Sequence, residues 1–160
     1  MKTRFLTTVC ALLTLAVLLG GCSAGAEKAP KKEVGIQLYS VRSLIGAFGN
    51  NQEDYKPVLK QLADMGYTSV EAASYKDGKI YGQTPEQFRK DVEEAGMKVL
   101  STHCTINLSD EELAAGDFSK ALAWWDECIA AHKAAGAEYI VVPSMRKVST
   151  LEELATYCRY

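Results

Sequence analysis

His103, Glu71, Tyr39 and Gln37 are the side chains whose types and positions would allow chemistry in this sequence. His103 closes the stretch Met97 to His103, which begins apolar at Val99 and Leu100 and turns polar at Ser101 and Thr102. A buried strand that changes in this way delivers its imidazole at the functional end of a parallel sheet. Glu71 lies in YTSVEAA at 67–73, on the parity of Ser69; Gln37 and Tyr39 share one face of VGIQLYSV at 34–41, with Ile36 and Leu38 on the other. Polar groups converging at strand ends suit a ligand pocket. Each residue also has a plain structural role open to it. His103 could be a hydrogen-bonded core histidine, Glu71 half of an interior ion pair, and Tyr39 and Gln37 interior packing. Glu71 and His103 make only two donors, fewer than the roughly four to six a metal takes. No metal ligand and no catalytic residue is therefore assigned within these 160 residues.

Other chemistries find little support. No GxGxxG or GxxxxGK[ST] fingerprint joins a strand to a helix, and Arg42 to Asn51 reads as a connecting loop or a loop beside a pocket. Cys104, Cys128 and Cys158 are odd in number and widely spaced, without CxxC, and read as buried apolar fillers. His132 falls on an apolar helical stripe and reads as structural, and Trp124 and Trp125 as core and helix-surface residues.

The first 33 residues stand apart from the fold. Lys2 and Arg4 precede a mostly apolar run from Phe5 to Leu19, too short to span a bilayer and suited to a secretory signal. Leu19-Gly20-Gly21-Cys22 resembles a bacterial lipobox, which implies cleavage before Cys22 and lipidation there. Residues 1–21 are thus expected to be a lipoprotein signal peptide and 22–33 (through SAGAEKAPKKE) a lipid anchor and tether. The expected location is the bacterial cell envelope, on the periplasmic face of the outer membrane, with the membrane a partner through Cys22. Loss of Lys2 and Arg4 from the 18 basic residues leaves 16 against 20 acidic, a net of about −4. Nothing there supplies the basic footprint of a nucleic-acid binder.

Residues 34–160 must position the candidate side chains, and they read as four βα units. Strands are expected at 34–41, 67–73, 97–103 and 138–143, the last buried on both faces. Helices are expected at 53–65 (with Pro57 near the start), at 85–95 behind a Thr84–Gln87 capping box, at 117–135, and from Thr150 onward. Residues 109–116 read as an acidic loop, and Leu122, Trp125, Ile129 and His132 as the apolar stripe of the longest helix. Three times a helix ends in glycine and a strand begins one or two residues later: DMGYTSV, EAGMKVL and AAGAEYI. Such repetition allows a doubly wound sheet or a (β/α)8 barrel. Polar residues at the strand ends and the missing glycine-rich first turn favour the barrel.

GIQLYSVR at 35–42, DMGYTSVE at 64–71, TPEQFRKDVEEAGMKVLSTH at 84–103 and AGAEYIVVP at 135–143 together resemble the first half of sugar phosphate isomerases/epimerases, the xylose isomerase-like TIM barrels. The resemblance implies an α/β fold, here an incomplete barrel of about four βα units over 34–160. It implies a sugar or sugar phosphate as ligand, bound around a divalent metal (Mn, Mg, Co or Zn) in the full-length form. It also implies metal-assisted aldose–ketose isomerisation or epimerisation. The family's metal ligands and catalytic carboxylates come mainly from later strands, so none is carried over. His103 matches a pocket histidine at the third strand's end and Glu71 a second-strand glutamate. The alternative is a non-catalytic carbohydrate-binding or assembly lipoprotein on the same fold. These 160 residues alone are expected to be inactive and to self-associate through open barrel edges.

Overall fold

The computed structural model describes residues 32–47, 50–51 and 54–160. The signal, Cys22 and most of the tether lie outside the described residues.

Four parallel strands carry the domain: β1 (Gly35–Gln37), β2 (Ser69–Ala72), β3 (Lys98–His103) and β4 (Tyr139–Val141). They pair in the order β1-β2-β3-β4. Each strand lies beside its predecessor with no reversal. A doubly wound sheet reverses direction at a switch point, and a barrel does not. The helices are α1 (Lys56–Asp64), α2 (Pro85–Glu94), α3 (Asp110–Ala115), α4 (Ser119–Ala134) and α5 (Leu151–Tyr157).

The glycine repeat has a single mechanical basis. After α2, Gly96 sits at φ 91° and donates to the Glu93 carbonyl at 2.9 Å, while Met97 N–H reaches the Val92 carbonyl at 3.1 Å. This is a Schellman closure, which needs the left-handed conformation that glycine adopts without steric cost. The same pair of bonds follows α1 (Gly66 to Ala63, Tyr67 to Leu62) and α4 (Gly136 to Lys133, Ala137 to His132). The same turn thus aims the chain from helix back to sheet three times.

Leu38, Val70, Ala72 and Val99 face Leu59, Leu62, Phe88 and Val92 in the main core. Tyr55, Tyr81 and Phe88 pack as an aromatic trio in it, with ring centroids 5.7 to 6.0 Å apart. Asp91 of α2 is buried beside that trio and holds the Tyr55 hydroxyl at 2.7 Å.

Several elements differ from the sequence reading. β1 ends at Gln37, and Leu38–Val41 turns into a 3-10 helix followed by a helical turn, Arg42–Ile45. The presumed acidic loop contains α3, because Ser109 caps the Glu112 N–H at 3.2 Å while Glu112 bonds back to the Ser109 N–H at 2.8 Å. On α4 the buried residues are Ala121, Cys128 and His132, while Leu122 and Ile129 are each 51% exposed. On that buried face Cys128 meets Cys104 just past β3 and His132 packs on Tyr75 with ring centroids 4.6 Å apart. β4 was expected to be buried on both faces, yet Tyr139 is 61% and Val142 52% exposed. Among the described residues β4 has β3 on one side and no strand on the other.

Candidate functional site

The pairing of β2 with β3 runs Val70 with Val99 and then Glu71 with Ser101, so Leu100 is one extra residue on β3. Such a bulge re-aims the side chains that follow it. Val99 goes with Val70 into the core under the helices, and Ser101 comes opposite Glu71. Simple alternation, which puts Val99 on the face of Ser101 and His103, fails at this point.

Downstream of the bulge a polar row crosses three strands. Gln37 is in register with Glu71, and Glu71 with Ser101. The Gln37 amide donates to Glu71 Oε1 at 2.5 Å, and the Ser101 hydroxyl to Oε2 at 2.6 Å. Hydrogen bonds to a carboxylate are short and strong, and two of them on opposite oxygens fix the plane of the group. Each oxygen retains lone-pair capacity for one further donor, such as a ligand hydroxyl. Tyr39 does not extend this row as strand alternation would have it. It lies in the 3-10 helix, its ring covered by the Arg42 guanidinium 4.2 Å from the centroid. Arg42 also donates to the Tyr39 carbonyl at 3.0 Å.

His103 closes β3 in register with Val141. It lines a cavity of about 140 Å³ with Tyr75, Lys76, Cys104, Thr105, Trp124 and Pro143. Tyr75 meets Trp124 edge-on at 5.7 Å, and burial, with help from the nearby thiols, pushes its phenol up to about 12. A second space of about 410 Å³ shares Thr105 and Pro143 and is walled by Trp125, Val142, Tyr157 and Tyr160. The Trp125 indole N–H donates to the Tyr160 hydroxyl. The two spaces adjoin past the C-terminal ends of β3 and β4, where a barrel keeps its site. A larger concavity, about 730 Å³, lies elsewhere, between α3 and α5. Its Arg146 is already engaged by the Leu108 carbonyl at 2.8 Å and Asp110 at 2.6 Å.

The structure therefore joins Gln37 to Glu71, adds Ser101 as its second partner, and places His103 at the mouth of an aromatic pocket. Sequence reasoning missed Tyr75, Lys76 and Trp124 as pocket walls, since nothing in their spacing links a β2 loop to α4. It also took the cysteines for separate fillers. Cys104 and Cys128 are buried and touch, with sulfurs 3.2 Å apart, and His132 Nδ1 lies 3.3 Å from Cys128 Sγ. The i,i+4 spacing of Cys128 and His132 was the available signal.

Among the described residues, Cys104, Cys128 and His132 are the one group of three or more side chains able to hold a metal, with their ligating atoms within 4.8 Å of one another. Mn and Mg prefer oxygen donors, and of the ions the resemblance implies, two thiols with one imidazole suit zinc best. Glu71 and His103 belong to no such group. Glu71 and His103 alone therefore do not fit the divalent metal the resemblance implies at the strand ends, and no chemical step is derived through it.

A parallel sheet wound in sequence order, with helices outside and a polar row at the strand ends, is that of an incomplete α/β barrel. Two solved structures match it. A sugar phosphate isomerase/epimerase from Parabacteroides distasonis superposes with TM-score 0.65 at 28% identity, covering 80% of this chain and 47% of that one. A second sugar phosphate isomerase/epimerase from the same organism gives 0.61 at 21% identity, covering 86% and 48%. The chain spans about half the length of these solved relatives. No protein-family model and no curated protein matches it.

Proposed function

We propose that the protein is an exported, lipid-anchored sugar (phosphate) isomerase/epimerase-like protein. In its full-length form it would interconvert aldose and ketose, or invert a centre beside a carbonyl, with metal assistance. The observation that carries this reading is the carboxylate of Glu71, held by Gln37 and Ser101 at the strand ends of a barrel sheet. The 28% identity to a sugar phosphate isomerase/epimerase supports it. In this reading Glu71 with Gln37 hydrogen-bonds sugar hydroxyls at the polar row, and His103 with the aromatic walls Tyr75 and Trp124 supplies a pocket at the end of β3; Tyr39, under Arg42, takes no part. The second reading, a carbohydrate-binding lipoprotein without catalysis, is favoured by one feature. Both Glu71 oxygens are already engaged, which suits a fixed hydrogen-bond acceptor better than a base.

The deciding assay incubates the full-length protein with a panel of aldoses, ketoses and their phosphates in D2O, with Mn, Mg, Co or Zn added. Deuterium entering the carbon beside the carbonyl is expected, and Glu71→Leu should lower kcat/KM at least tenfold. Saturable sugar binding without exchange would leave only the second reading; neither binding nor exchange would remove both.

Export is tested separately. Cys22 should carry the lipid in the membrane fraction by mass spectrometry, and Cys22→Ala should release the protein from membranes or block its processing. Unchanged processing and membrane retention in that variant would refute the anchor.

A further inference from the structure

We propose that Cys104 and Cys128 are a disulfide-forming pair that ties the C-terminal end of β3 to α4. They are 24 residues apart in sequence, yet their sulfurs meet at 3.2 Å in the interior. That is about 1 Å more than the ~2.05 Å bond, a gap that side-chain rotation can close. Cys104 directly follows His103 and lines the small aromatic cavity, whereas Cys128 lies beneath it and is fully buried. An oxidant arriving through the cavity therefore meets Cys104 first.

The electrostatics suit that order. Either thiol can donate across the 3.2 Å contact, and the contact with Cys128 draws the Cys104 thiol below its ordinary range against the opposing effect of burial. The contact with Cys104, together with burial, pushes the Cys128 thiol up. The attacking thiolate is then Cys104, because the thiolate is the nucleophile in exchange. It attacks an external disulfide RSSR, forming a mixed disulfide and expelling one thiolate. Cys128 then loses its proton and attacks Cys104 Sγ, expelling the second. Two protein thiols and RSSR become one protein disulfide and two RSH, so atoms and electrons balance.

A metal is the competing occupant of the same three side chains, and the geometry disfavours it. His132 Nδ1 lies 2.6 Å from the Cys128 carbonyl oxygen. That nitrogen must carry a proton to make the bond, so the imidazole atom nearest the Cys128 sulfur is closed to a cation.

The oxidising compartment this bond requires rests on the export reading above, but the pairing is tested independently of it. The full chain is incubated with oxidised glutathione, alkylated under denaturing conditions and digested with trypsin. Cleavage after Lys98, Lys120 and Lys133 puts Cys104 and Cys128 on separate peptides, 99–120 and 121–133. A linked species of these two is expected, with a Tm several degrees above that of the reduced chain. The Tm difference should vanish in Cys128→Ala and persist in Cys158→Ala. Both cysteines alkylated or glutathionylated without linkage would overturn the proposal. So would linkage of Cys104 to another cysteine, or one equivalent of zinc that resists chelation and is lost in Cys104→Ser. A chain that is not lipidated at Cys22 but links these peptides refutes the lipid anchor and leaves the pair standing.

Discussion

Asp91→Leu is expected to destabilise the described domain by about 3 kcal/mol, read as a fall in unfolding free energy with an unchanged denaturant slope. The Asp91 carboxylate has no exposed surface and serves three donors: the Tyr55 hydroxyl at 2.7 Å, the Gln87 amide at 2.7 Å and the Lys56 ammonium at 2.8 Å. Removing it leaves the Tyr55 hydroxyl unpaired beside Phe88 and Tyr81, at a cost of about 1–3 kcal/mol for a buried polar group. Gln87 loses its anchor as well. The Lys56 side chain is 57% exposed and returns to water, so the ion pair itself contributes little. Lys56→Met leaves the Tyr55 and Gln87 bonds in place and should therefore cost less than Asp91→Leu, and that contrast separates a buried hydrogen-bond hub from a salt bridge.

The pH dependence gives a second readout. Burial alone would raise the Asp91 carboxyl, but the bonds from Lys56, Tyr55 and Gln87 outweigh it and hold the group below 3.8. A carboxyl lowered in the folded state stabilises the fold above its unfolded value, and that stability drains as pH falls through the folded value. The wild type should lose stability below about pH 4, and Asp91→Leu should lose less over that range. Equal acid limbs in the two proteins would show that Asp91 is not the group responsible.

Most of the scaffold was readable because it is specified locally. A glycine that must take a positive φ, a threonine that caps the turn of Pro85, and a near-continuous apolar run each declare an element within a few residues. Gly66, Gly96 and Gly136 accordingly fall where the repeat put them, at the three helix-to-strand turns. What escaped depends on contacts between distant segments. The extra residue at Leu100 exists only in the pairing of β3 with β2, so alternation along β3 misplaced Val99. The buried face of α4 is chosen by Cys104 and Tyr75 across from it, not by the helix's own largest side chains. α3 was legible and overlooked, since Ser109 and Glu112 spell a capping box that its acidic composition disguised. Of the candidate site, Gln37 and Glu71 could be placed by strand parity. Tyr39 could not, because the chain leaves the strand one residue before it.

Residues 22–160 alone are expected to show no sugar turnover, to retain no stoichiometric Mn, Mg, Co or Zn, and to self-associate at tens of micromolar. Among the described residues β1 and β4 are each paired on one side only, and unpaired backbone edges invite pairing with another chain. The exposed apolar groups reinforce this. Tyr139 and Val142 at β4, with Leu122 and Ile129 on α4, are all more than half uncovered, and such groups favour association when they cluster. At the strand ends, Glu71 and His103 provide two donors where a divalent cation wants roughly four to six. The chain spans about half the length of the solved relatives, and among the described residues Gln37, Glu71 and Ser101 stand on a sheet of four strands. A sugar bound on such a sheet remains open to water, and the proton it must shuttle has no enclosed path. The check is sedimentation equilibrium, elemental analysis after dialysis, and the D2O exchange assay on the same preparation. A monomer that unfolds cooperatively, keeps one equivalent of metal and exchanges the proton beside a sugar carbonyl would mean that four βα units suffice for the chemistry.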